Sequence, residues 1–350
     1  MPKGDSLYIS GNLLELGNWE PAGKKFQTLE NGKLYVEFNA KKGSIIECKL
    51  SRGTWKTQAI YKKDDNPPDN IVIKADKDKE VKVTVYQWLD KRVIVSDPVQ
   101  GSLLQFDRFD CKGLKHKRDI QVWLPSNYSE NADPYSVIYM HDGQNLFEPG
   151  NAFNGNDWKV DETVTKLLSE NKIKPCIVVG IPNSPERMRE LNLNAPLGKA
   201  YAKFVIEEVM PFIQTKFNVS KDHKDSYIGG SSMGGLMAFQ MGFKHPDKFG
   251  GAICMSSAFQ RRFTNIIEEV KKTEKMPLQC RFYIDTGEYE IEPGEEDDIV
   301  SCYKEMMQIM KEKGFKEGKN LMGYFDKKAT HTESAWARRF HLPLMFLLGK

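Results

Sequence analysis

The chain has 350 residues, 40% of them hydrophobic, which is enough for one large or two ordinary domains with a substantial core. A formal charge of only +3 argues against a nucleic-acid or other polyanion partner. No run is long and apolar enough to span a membrane, so no membrane partner is expected. The opening Met-Pro-Lys-Gly-Asp-Ser lacks the apolar core of a signal peptide. As it stands the chain therefore reads as cytoplasmic, or as periplasmic or secreted if a signal was removed. Six cysteines are scattered without a C-x-x-C pair or zinc-like spacing, and buried free thiols are expected at Cys176 and Cys254. No feature points to a metal or organic cofactor.

Residues 1–92 read as a small all-β sandwich. Short runs at Ser6–Ser10, Lys33–Phe38, Ile45–Leu50, Ile71–Lys74 and Val81–Tyr86 are separated by turn signals, among them Asn31-Gly32, Arg52-Gly53 and Asp64-Asp65-Asn66-Pro67-Pro68. Residues 93–102 look like a linker. From 103 to 350 the character changes to strands alternating with helices. A hairpin is expected from Leu103–Phe109 and Asp119–Leu124. Buried strands are expected at Tyr135–Met140, Cys176–Ile181, Gly251–Met255, Arg281–Asp285 and Leu321–Phe325. Helices are expected at Val160–Glu170, Tyr201–Lys216 (interrupted at Pro211) and Asp298–Lys313, with a last one from about Glu333. Strand–helix alternation with near-continuous apolar strands predicts a mainly parallel sheet covered on both faces, an α/β fold.

The chemistry centres on Gly230-Ser231-Ser232-Met233-Gly234. G-x-S-x-G is the nucleophile elbow, a sharp strand-to-helix turn that exposes a serine hydroxyl at the strand tip. The flanks suit it: Ser226-Tyr227-Ile228-Gly229 can end a buried strand, and Leu236–Phe243 reads as a helix of small and apolar residues. A serine needs a base, and the base an orienting acid, following in the order serine, acid, histidine. Of six histidines only His245, His331 and His341 follow Ser232. His245 lies at the wrong end of the elbow helix, and His341 is expected to pack in the final helix. His331 lies between a strand and a helix, at the sheet edge where Ser232 should open, and is assigned as base. A base that is spent when protonated predicts activity falling below about pH 6–7. Glu290, three residues beyond Gly287, is the favoured acid, with Asp285, Glu288 and Asp298 as alternatives. Oxyanion donors are expected at the backbone N–H groups of Met233 and Gln144. His141 and Asp142 are expected to fix the Gln144 loop by hydrogen bonds. Trp158, Arg187 and Arg189 are candidate rim residues that could touch substrate.

Several segments carry a resemblance. Tyr-Met-His-Asp-Gly-Gln-Asn-Leu-Phe (139–147), Val-Val-Gly-Ile-Pro-Asn (178–183) followed by Arg187, Gly-Ser-Ser-Met-Gly-Gly-Leu (230–236) and His-Thr-Glu-Ser-Ala-Trp-Ala-Arg-Arg (331–339) resemble the putative esterase family. That family includes esterase D, siderophore esterases, feruloyl and acetyl-xylan esterases, and mycolyltransferases. The resemblance spans residues 135–345 and implies an α/β-hydrolase fold with Ser232 and His331 as nucleophile and base. It implies the acid less securely, because the family often has Gly-Thr-x-Glu or Gly-x-x-Asp where this chain has Gly-Glu-Tyr-Glu. The first domain is similar to starch-binding and related sandwiches at Leu7–Pro21 and Arg52–Trp55, which makes Trp19 and Trp55 candidates for stacking on sugar. Only about 25 residues separate Met255 from Arg281, too few for a lipase-like lid, so an open site is expected. The implied partner is a small-molecule or polysaccharide-linked ester. The leading substrate is a bulky or carbohydrate-linked ester of acetyl or feruloyl type; a siderophore-type or general small-ester esterase, an acyltransferase using the same acyl-enzyme, and a non-catalytic binding protein are the alternatives, and the oligomeric state is left open.

Overall fold

The computed structural model describes residues 4–61, 70–91, 98–290 and 297–350. It divides into two compact units, residues 1–96 with 153–156, and residues 97–152 with 157–350. The turn signal at 64–68 and the first half of the expected linker, 93–97, lie outside the described residues.

The first unit is antiparallel. β1 (Tyr8–Gly11), β2 (Lys24–Lys25), β3 (Ile45–Ser51) and β4 (Ile71–Lys74) form one sheet in the order β2-β1-β3-β4. Two-residue ladders pair Gln27–Thr28 with Leu34–Tyr35, and Ala59–Ile60 with Gln87–Trp88. Leu7, Ile9, Leu16, Ile46, Cys48, Leu50, Ala59 and Trp88 make its core. The expected strand Val81–Tyr86 does not form. Its Val-x-Val-x-Val alternation suits a strand, but among the described residues its one backbone bond to a neighbouring strand is from Tyr86 N–H to the Ile60 carbonyl at 2.8 Å, and Val81, Val83 and Tyr86 stay exposed.

The second unit is an eight-stranded sheet. Its strands are β5 (Ser102–Phe109), β6 (Arg118–Leu124), β7 (Ser136–His141), β8 (Cys176–Ile181), β9 (Ser226–Ser231), β10 (Gly251–Met255), β11 (Arg281–Tyr289) and β12 (Leu321–Thr330). They lie in the order β12-β11-β10-β9-β7-β8-β6-β5. The β5–β6 hairpin is antiparallel and joins β8 antiparallel; the strands from β8 through β12 run parallel. Alternation along β7 sends Val137 and Tyr139 into one core and Ile138 and Met140 into the other, so both faces are covered. The mainly parallel sheet is the α/β-hydrolase arrangement expected.

The covering helices include α1 (Val160–Ser169), α2 (Pro196–Phe204), α3 (Met210–Lys216), α4 (Met233–Lys244), α5 (Ile266–Lys272), α6 (Ile299–Glu312), α7 (Glu333–Arg339) and α8 (His341–Leu348). Between α2 and α3 the turn widens to a π-helix over Val205–Val209. Pro211 has no N–H to donate and its ring crowds the carbonyl four residues back, so the helix accommodates it there. α4 is buried from Met233 to Phe243, which explains its apolar character all round.

Candidate active site

Ser232 sits between β9 and α4 at φ 56°, ψ −121°, a conformation that L-residues rarely adopt. The turn holds because Gly230 meets the backbone of Gly234: a Cβ on Gly230 would lie 2.8 Å from the Gly234 carbonyl carbon. Ser232 N–H donates to the Met255 carbonyl at 2.9 Å, and Ala258 N–H donates to the Ser232 carbonyl at 3.0 Å, which tie the turn to the end of β10. Ser232 Oγ is not hydrogen-bonded to any described residue; nucleophile–base contacts are often long without substrate.

β11 and β12 bring the next pair together. Glu290 follows β11, His331 follows β12, and His331 Nδ1 lies 2.5 Å from Glu290 Oε2. Glu290 is fully buried. Its other oxygen, Oε1, accepts from Gly287 N–H at 2.6 Å, Ser256 Oγ–H at 2.7 Å and Thr286 Oγ1–H at 3.3 Å. Burial pushes the Glu290 carboxyl up, but His331, the bonds from His331 and Ser256, and the Arg339 charge outweigh it and hold it below the usual range. The His331 ring stands edge-on to Trp336, with centroids 5.0 Å apart.

The other candidate acids have other partners. Asp285 is buried against Arg339, whose Nε and Nη2 reach its two oxygens at 2.8 and 3.0 Å. Glu288 is exposed. Asp298 caps α6 by accepting from Ser301 N–H at 2.6 Å. Of the remaining histidines, His245 follows α4, as expected from sequence. His341 does not pack: it is exposed, bonded through Nδ1 to the Arg338 carbonyl.

On the other side of β9, β7 ends in the loop that carries Gln144. Asp142 takes φ 56° and caps a short 3-10 turn, Gly143–Asn145. Gly143 presses against β8, where a Cβ would lie 2.5 Å from the Gly180 and Ile181 backbone. Gln144 and Met233 both occupy first turns, whose N–H groups have no acceptor within their own helix. These are the groups an incoming anion can use. Arg187 holds Asp142 bidentately, Nε and Nη2 each at 2.7 Å from a carboxylate oxygen, and Asn183 Nδ2 donates at 2.7 Å. Burial would raise Asp142, but Arg187, with Asn183 and His141, outweighs it and lowers it. His141, fully buried and bonded to Tyr201 Oη at 2.8 Å, is pushed down to about 4 by burial and is neutral at neutral pH.

Trp158 is not a rim residue. It is 2% exposed and packs on Trp336 and Phe340 at centroid distances of 5.6 and 5.8 Å. Arg187 is engaged by Asp142, and the exposed Arg189 pairs with Glu186 at 3.0 Å. Trp19 and Trp55 are half-buried in the first unit, Trp19 at φ 69°. Sequence reasoning missed Ser256, Trp336 and Arg339, although Ser256 directly follows an apolar strand. A separate group, Asp157, Asp161 and Glu162, has carboxylate oxygens within 4.8 Å of one another and could hold a metal ion. Burial, reinforced by Glu162, raises Asp157 to about 6, and burial raises Asp161 to about 7. All six cysteines are free and buried.

Residues 111–342 match the protein family described as "Putative esterase". The chain belongs to that family. This esterase is 26% identical over 222 residues to the uncharacterized protein YjcH of Bacillus subtilis (strain 168), covering 62% of this chain and 87% of that protein. Among solved structures it is similar to a ferulic acid esterase, with TM-score 0.59 and 21% identity over 72% of this chain and 99% of that one. It is also similar to the enterobactin esterase of Shigella flexneri, with TM-score 0.60 and 14% identity over 98% of this chain and 87% of that one. At these identities the structural likenesses concern the fold. As a member of the family the protein is a carboxylic-ester hydrolase.

Proposed function

We propose that the esterase works through an acyl-enzyme on Ser232, with His331 as general base, Glu290 as the acid that orients it, and the N–H groups of Met233 and Gln144 as oxyanion donors. The contact between Glu290 Oε2 and His331 Nδ1 carries the reading. A carboxylate held below its usual range accepts the Nδ1 proton, which fixes the tautomer and leaves Nε2 with its lone pair for the serine. Ser232 Oγ attacks the ester carbonyl as Nε2 takes its proton. The oxyanion collapses, and the alcohol leaves with that proton. Water then attacks the acyl-serine with the same histidine as base, and Ser232 is regenerated.

For the substrate we propose a bulky or carbohydrate-linked ester of acetyl or feruloyl type, a reading supported by the family and the likeness to a ferulic acid esterase. One observation favours a siderophore-type ester as the second reading: the likeness to the enterobactin esterase extends over 98% of the chain, the N-terminal unit included. Hydrolysis of 4-nitrophenyl acetate, methyl ferulate and a catecholate trilactone by wild type and Ser232→Ala tests both levels. The variant should lose about 10³-fold or more in kcat on every ester that the wild type turns over. Retained activity would remove Ser232 from the mechanism, and the ranking of the three esters assigns the substrate class.

A further inference from the structure

Glu290 meets His331 through one oxygen only, and the other is held by Gly287 N–H, by Thr286 Oγ1–H and by a second serine, Ser256. Ser256 follows β10 at φ 40° and is fully buried. Its N–H groups it to β11 by donating to the Asp285 side chain at 3.0 Å. A hydroxyl has one proton and two lone pairs. Trp336 Nε1–H donates to Ser256 Oγ at 2.9 Å, and Arg339 Nη2–H donates to it at 2.7 Å. Indole and guanidinium are donors only, so both lone pairs are filled from outside. The hydroxyl proton is thereby left one acceptor, Glu290 Oε1 at 2.7 Å. Arg339 is itself fixed by its two bonds to Asp285, so its direction is set from below.

We infer that Ser256 is a positioning residue of the esterase: Trp336 and Arg339 steer its proton onto Glu290 Oε1, which turns Oε2 toward His331 Nδ1. The inference rests on the roles proposed above for Glu290 and His331. The charged and titratable groups facing Glu290 are His331 from the loop after β12 and Arg339 from α7, with Asp285 of β11 neutralising Arg339. Trp336 serves both ends of the unit, since its ring also supports the His331 imidazole. A charge-assisted bond to a carboxylate is among the stronger hydrogen bonds, so its loss is felt where the carboxylate must hold one orientation.

Ser256→Gly is the cleanest perturbation, because it removes the hydroxyl at a φ that glycine adopts without strain. Two readouts are taken on the intact protein: kcat and KM for 4-nitrophenyl acetate, and the far-downfield proton resonance of the His331 Nδ1–H. The variant should lose about 10- to 100-fold in kcat with KM unchanged. Its imidazole resonance should shift upfield or broaden away. A wild-type kcat with an unmoved resonance would overturn the inference. Should Ser256→Gly not fold, Trp336→Phe decides on the same readouts, since it keeps the ring on His331 and removes one donor. Ser232→Ala and Glu290→Ala are run beside them. If either retains wild-type activity, the underlying triad has failed; if both are inactive while Ser256→Gly is unaffected, only the role of Ser256 has.

Discussion

Arg187→Met isolates what holds the Gln144 loop, which is proposed to supply an oxyanion donor. Wild-type Asp142 is buried, its side chain 6% exposed, and it takes two bonds from Arg187 and one from Asn183. Removing one partner of a buried ion pair costs about 3–5 kcal/mol. The Arg187 side chain is 27% exposed and Asn183 remains, so the expected loss at pH 7 is about 2–3 kcal/mol. That corresponds to a Tm lower by about 4–6 °C. Loosening the turn that carries the Gln144 N–H should reduce kcat by about 10- to 100-fold, less than outright removal of an oxyanion donor.

The pH dependence tests the cause. In the wild type the Asp142 pKa lies below its unfolded value, so its stabilising contribution is present above about pH 4 and lost as pH falls through the folded value. In Arg187→Met burial dominates, and the folded pKa rises above the unfolded one. The folded state then keeps its proton longer than the unfolded chain, and stability falls as pH rises through that window. The Tm gap between the two proteins must therefore widen from about pH 4 to pH 7. Thermal unfolding followed by circular dichroism across that range reads it directly. A gap that is constant, or that widens toward acid, would refute the reasoning. The double variant Arg187→Met/Asp142→Asn should close most of the gap by removing the unpaired charge.

Asp161 gives the opposite sign without mutation of a partner. Its folded pKa is raised to about 7, so its contribution to stability declines as pH rises from about 4 to 7. Asp161→Asn should raise Tm by a few degrees at pH 7.5 and flatten the Tm–pH curve, while a lower Tm at pH 7.5 would count against that burial argument. Trp158→Ala should cost about 3–5 kcal/mol of stability and leave the ratio of kcat/KM between two esters unchanged, because the side chain packs in the core; a changed ratio in a fully stable variant would return Trp158 to the rim. Gly143→Ala places a methyl 2.5 Å from the β8 backbone, and should lower kcat about tenfold or more with KM unchanged, as measured by steady-state kinetics.

What the sequence reveals follows from how local each cause is. The elbow is legible because its requirements are met within five residues: a strand end, a strained serine, and glycines where strand and helix nearly touch. The sheet is legible because strands buried on both faces must be apolar almost throughout, as in Cys176–Ile181. Val81–Tyr86 misleads for the same reason, since alternation states a preference while pairing needs a neighbour. Trp158 misleads because a loop position does not say which way an indole turns.

The choice between two carboxylates shows where sequence reasoning stops. Asp285 ends the strand expected from sequence and Glu290 lies five residues later, so the sequence offers both as partners for a histidine after the next strand. The deciding partner is Arg339, 54 residues from Asp285 in the chain. It holds both oxygens of Asp285, which removes that group from competition, and its Nη2 also donates to Ser256, 83 residues away. Ser256 then turns to Glu290, 34 residues on. Each contact is ordinary by itself. Together they leave His331 a single carboxylate oxygen to meet, and the participants come from three segments far apart in the chain: Ser256, Asp285 with Glu290, and His331 with Trp336 and Arg339.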